Sequence, residues 1–73
     1  MLIARIEGAN RVCGKSQGFL GLPVRDEIVD GVNIMHTAWE PTPEEIDAII
    51  KGAKIIVSVI GNNPQPIMLG VGK

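Results

Sequence analysis

The stretch His36-Thr-Ala-Trp-Glu-Pro-Thr-Pro-Glu-Glu-Ile-Asp-Ala-Ile-Ile-Lys-Gly52 sets the frame for the whole chain. It reads as the end of a strand, a two-proline corner and one short helix. Thr42 has the chemistry of an N-cap. Its hydroxyl can accept from the backbone N–H of Glu45, and the Glu45 carboxylate can reach back to the N–H of Thr42. Pro43 falls at the first helical position, where a missing N–H costs nothing. Glu44, Glu45 and Asp47 place negative charge at the positive end of the helix dipole. Lys51 supplies a cation at the other end, and Gly52 can turn left-handed to close the helix. Ile46, Ile49, Ile50 and Ala53 follow an i, i+3, i+4, i+7 spacing, so one face is expected to pack and the other to be wet.

Working outward, residues 32 to 39 alternate as a strand that Pro41 ends. Before it, Asp30-Gly31 is a good turn dipeptide and predicts a hairpin from Ile28-Val29 to Val32. Residues 2 to 7 suit a first strand, resuming from Arg11 to Cys13 after Gly8-Ala9-Asn10. Residues 14 to 31 are broken by Gly14, Gly18, Gly21, Pro23 and Gly31, with short extended pieces expected near 22 to 25 and 27 to 29. After the helix, Lys54 to Ile60 reads as the strongest strand and Ile67 to Val71 as the next. The segment from Gly61 to Pro66 should join them as an antiparallel hairpin. Ile56, Ile60 and Met68 point away from the other apolar residues of this pair, which implies a second covered face. The fold class expected is α+β: one short helix packed on a mainly antiparallel sheet of about four strands, in a single domain spanning residues 1 to 73.

Seventy-three residues leave little room for a core. Small domains lean on disulfides, metals or partner subunits. Cys13 is the sole cysteine and His36 the sole histidine, so neither an internal disulfide nor a protein-only zinc site is expected. Hydrophobic residues make up 45% of the chain, which points to a homo-oligomer as the remaining support. The net charge is −1, with no basic tract of the kind that follows a phosphate backbone, so nucleic acid is not an expected partner. No apolar run approaches the roughly 18 residues of a membrane helix, and the N-terminus lacks a signal-peptide pattern. A cytoplasmic protein with a free thiol is expected.

Several constellations invite a chemical reading. Gly14-Lys15-Ser16 imitates the end of a P-loop, but the first glycine of that motif would fall on Ala9. Arg11, Lys15 and Arg25 flank the glycine-rich segment and could converge on an anion, with Arg gripping a phosphate by its planar fork. The plainer account is three surface cations paired with Glu7, Asp26 and Glu27. Trp39 either packs at the helix entry or stacks on a ligand. His36 has no neighbouring nucleophile, and Cys13 would need a base that only folding could bring. Asn62, Asn63 and Gln65 suit a turn. No acid, base and nucleophile set emerges, so neither catalytic residues nor a cofactor is assigned.

The order Arg5-Ile-Glu-Gly-Ala-Asn-Arg-Val12, Gly21-Leu-Pro-Val-Arg-Asp26, Ala38-Trp-Glu-Pro-Thr-Pro-Glu-Glu45, Gly52-Ala53, Val59-Ile-Gly61 and Pro66-Ile-Met-Leu69 resembles a family of small phage and prophage proteins. The resemblance covers most of the chain. It implies an accessory role in the cytosol of a bacterial host, where such proteins bind and block host factors or sequester cyclic nucleotide signals. The expectation is a non-enzymatic, homo-oligomeric protein that binds a phosphorylated small molecule through Arg11, Lys15, Arg25 and Trp39. The alternative is an interaction module that blocks a host protein through the Trp39 corner or an open sheet edge.

Overall fold

The computed structural model describes residues 1–14, 21–63 and 66–72. Five strands and one helix follow in chain order: β1 (Leu2–Ala4), β2 (Arg11–Cys13), β3 (Leu22–Val29), β4 (Val32–His36), β5 (Ala38–Glu40) and α1 (Pro43–Ile50). The architecture is α+β. Its strands form two antiparallel sheets, one pairing β1 with β5 and the other ordered β2-β3-β4.

Local chemistry accounts for most of the joins. Ala9 N–H bonds to the Ile6 carbonyl at 3.1 Å, and Gly8 takes φ 77 inside that turn, the positive value that position i+2 of a type II turn demands. A Cβ on Gly8 would lie 3.2 Å from Cδ of Arg25, so space as well as φ favours glycine there. The β3–β4 hairpin turns on Asp30 and Gly31, with φ 50 and 79, and Val29 lies opposite Val32. Two successive positive φ values are those of a type I′ turn, whose twist matches the strands. The two extended pieces expected near 22 to 25 and 27 to 29 are one eight-residue strand. Conversely, the single strand expected over 32 to 39 is divided at Thr37. Before it the chain pairs with β3, and after it with β1. A period-two pattern cannot show such an exchange of partners, because facing direction alternates through it unchanged.

Both reciprocal bonds of the capping box are formed. Glu45 N–H donates to Thr42 Oγ1 at 3.2 Å, and Thr42 N–H donates to Glu45 Oε1 at 2.9 Å. At the far end Gly52 has φ 101, its N–H meets the Ile49 carbonyl at 3.0 Å, and Ala53 N–H meets the Ala48 carbonyl at 2.9 Å. That pair of bonds is a Schellman motif. Lys51 follows the helix as its C-cap and reaches Asp47 at 2.8 Å. The N-terminal ammonium binds Glu45 Oε1 at 2.6 Å, which ties the start of β1 to the start of α1.

The region after the helix differs from expectation. Among the described residues no strand follows Glu40, so the segments 54–60 and 67–71 are not the antiparallel hairpin that their composition predicts. Their alternation and β-branched content are real, but a strand exists only where another strand accepts its hydrogen bonds. The helix stripe is likewise uncovered: no residue of α1 is buried, and Ile50 is 78% exposed. Ile6 and Val24 are the buried apolar residues among those described. They make a very small core, even for a chain this short.

Candidate functional site

The most organised polar site is centred on Asp26 in β3. Arg11 Nε donates to Asp26 Oδ2 at 2.6 Å and Arg11 Nη2 to Oδ1 at 3.0 Å, a two-pronged grip. Asn33 Nδ2, from β4, donates to the same Oδ1 at 3.0 Å. Asn10 Oδ1 accepts the Asp26 backbone N–H at 3.0 Å, and Asn10 Nδ2 donates to the Asp26 carbonyl at 3.3 Å. The register explains this convergence. Arg11 lies opposite Val24 and Asn33 opposite Ile28, so Asp26 is the diagonal neighbour of both on one face. The hydrogen bonds from Arg11 and then Asn33 hold the Asp26 carboxyl below its ordinary range, and the bond to Asp26 raises Arg11. With its fork on a carboxylate, Arg11 is a cross-strand clasp.

Arg25 takes a different position. Successive residues of a strand face opposite ways, so Arg25 points to the face away from Asp26 and Arg11. Its Nη1 donates to the Glu7 carbonyl at 2.8 Å, which braces the Gly8 turn. Lys15, and with it most of the Gly14-Lys15-Ser16 segment, lies outside the described residues. Trp39 belongs to the other sheet, in β5 opposite Ile3. It is 48% exposed, and its indole N–H donates to Thr37 Oγ1 at 3.0 Å. Of the expected group, Arg11 and Arg25 are therefore on opposite faces of one sheet, and Trp39 belongs to the other sheet. The plainer pairing holds for Arg11 with Asp26, while Arg25 goes to the backbone of Glu7 instead of its carboxylate.

His36 pairs with Arg25 across the β3–β4 ladder and bonds by Nε2 to Glu27 Oε2 at 2.8 Å. Cys13 sits on the far strand opposite Leu22, on the face that Arg11 shares. Cys13 and His36 thus occupy the two outer strands and opposite faces, which does not make a nucleophile and base pair. Among the described residues no cluster of three or more His, Cys, Asp or Glu side chains could hold a metal ion.

Asn10 and Asn33 complete the Asp26 site, and reasoning from sequence misses both. The available signal is Asn10 itself, an amide at the mouth of a turn just before a strand, where it can mimic a peptide unit.

Comparison with known proteins adds no relative: no family model, curated protein or solved structure matches the chain.

Proposed function

We propose that this is a non-enzymatic interaction module that binds and blocks another protein, an accessory role of the kind its phage-like motif order implies. The observation that carries this reading is Trp39. It stands half-exposed on a corner whose geometry is fixed by the capping box, and its N–H is already satisfied by Thr37. A large, oriented aromatic surface with no polar demand of its own is the type of group that dominates protein interfaces. Ile46, Ile49 and Ile50 of the helix that follows are exposed as well and add apolar surface to the molecule. No helix among the described residues is long and apolar enough to cross a membrane, so a membrane-spanning helix gives no alternative account of this surface.

Sequestration of a phosphorylated small molecule, such as a cyclic nucleotide, has less support. Arg11 would have to leave Asp26, Arg25 lies on the opposite face of the same sheet, and Trp39 belongs to the other sheet. The test is a pull-down from bacterial host lysate with wild type and Trp39→Ala side by side. A protein retained by wild type and lost with the variant is the expected result. No such protein, together with heat on titrating cyclic di- or trinucleotides, would replace this reading with the small-ligand one.

A further inference from the structure

Beyond the Trp39 corner, the chain carries a second uncovered apolar surface, and its extent points to a definite occupant. A compact monomer of 7.8 kDa should expose roughly 4,400 Å². This chain exposes 6559 Å². Its radius of gyration is 14.0 Å, against about 11 Å for a compact domain of this length. Among the described residues twenty-one large apolar side chains are exposed, and nine of them follow Gly52. They lie on an arm, described over residues 54–63 and 66–72, in which no strand forms and no backbone–backbone hydrogen bond to another described residue is made beyond Ala53.

We propose that this arm pairs with an open edge of the β1–β5 sheet in a second copy of the chain, each copy giving its arm to the other. Four observations lead there. The arm has the period-two apolar pattern of a strand, with Ile55, Val57 and Val59 on one side and Ile56 and Ile60 on the other, and no described strand pairs with it. The β1–β5 sheet has only two short strands, which are marginal without a third. Val57, Val59 and Ile67, from the two limbs of the arm, line an open cleft of about 260 Å³, and no strand pairing joins the limbs among the described residues. Finally, the surplus of roughly 2,200 Å² per chain, doubled for two copies, falls in the range of obligate homodimers.

A second copy fits better than an unrelated protein. A fold with two buried apolar residues among those described, and a single cysteine, needs its cover permanently, and the partner always present at equal concentration is itself. From residue 54 to 72 the sole charge is Lys54, so nothing on the arm selects a charged partner. Reciprocal exchange also closes the assembly at two copies.

The test combines native mass spectrometry with hydrogen exchange on the full chain. The expected mass is twice the 7.8 kDa protomer. Amides of 54–60 should exchange at least about ten-fold more slowly in the assembly than after dilution to monomer. Val57→Pro removes one ladder donor and should shift the population to monomer. If that variant does not fold, the dilution series in wild type still decides. A folded monomer with fast exchange over 54–60 overturns this proposal and leaves the Trp39 reading intact. A monomer with slow exchange there overturns it too, since the arm would then close on its own chain. An oligomer whose arm exchanges fast also sinks the idea.

Discussion

The Asn10 carboxamide holds the backbone of Asp26 at both of its polar groups, accepting the N–H at 3.0 Å and donating to the carbonyl at 3.3 Å. Asn10 N–H itself bonds to the Val24 carbonyl at 2.9 Å. One side chain therefore carries the β2–β3 ladder a step past the point where β2 begins. Asn10→Ala deletes both amide contacts and should destabilise the fold by about 1 to 2 kcal/mol. Urea denaturation at fixed protein concentration checks this: the midpoint should fall with the slope unchanged. Asn10→Asp restores the acceptor but not the donor, and should recover part of the loss.

The Asp26 site also gives a pH dependence with a definite sign. Arg11 and Asn33 depress the Asp26 carboxyl in the folded state relative to an unfolded value of about 3.9. A group depressed on folding binds fewer protons folded than unfolded. Its contribution is therefore complete above the unfolded value and lost as pH falls through the folded one. The wild type should lose stability below about pH 4, and Asp26→Asn should flatten that limb. Glu45 titrates in the same direction, held down by the N-terminal ammonium and then by Thr42 N–H, so some slope should persist in the Asp26 variant. The double variant with Glu45→Gln should remove more of it.

The helix is legible in the sequence in detail because every signal for it is local. Thr42, Pro43, Glu45 and Gly52 act on backbone groups within four residues, and both ends are built as their chemistry dictates. The Asp30-Gly31 hairpin is legible for the same reason. The arm after Gly52 is not, because a strand is a relationship between two segments and the composition of one shows only its readiness to pair. The placement of two of the expected anion-site residues is hidden in a similar way. Arg11 and Arg25 flank one glycine-rich segment in sequence, but the register of β2 on β3 sends them to opposite faces. A single residue of slip would have placed them together.

The capping box admits a direct test. Thr42→Ala removes the acceptor for Glu45 N–H and should cost about 1 kcal/mol, whereas Thr42→Ser should cost far less because the hydroxyl is retained. Loss of helical circular dichroism on heating, followed at one protein concentration, separates the two.

Gly31 reports on the hairpin. It holds φ 79, and a Cβ at this position would meet nothing within 4 Å, so only backbone strain opposes a side chain there. Gly31→Ala should destabilise by roughly 1 to 2 kcal/mol. Gly31→Asn should be milder, since asparagine tolerates the left-handed region. Equal effects from the two would mean that the loss is not conformational.

Trp39 is the chain's sole tryptophan, so its fluorescence reports the corner without interference. At 48% exposure, with its N–H on Thr37, the ring should emit as a solvent-facing indole and be quenched by iodide in the isolated protein. Trp39→Ala also removes the covered half of the ring, so it should lower urea stability by about 1 to 3 kcal/mol. Thr37→Val removes the acceptor and frees the ring to turn, so it should broaden the indole's anisotropy decay without unfolding the protein. If the corner is the contact surface, adding the captured partner should shift emission to the blue and abolish iodide quenching. Thr37→Val should bind that partner more weakly than wild type, because the ring must then be ordered on binding. Wild-type emission that stays red and quenchable in the complex would place the contact elsewhere on the molecule.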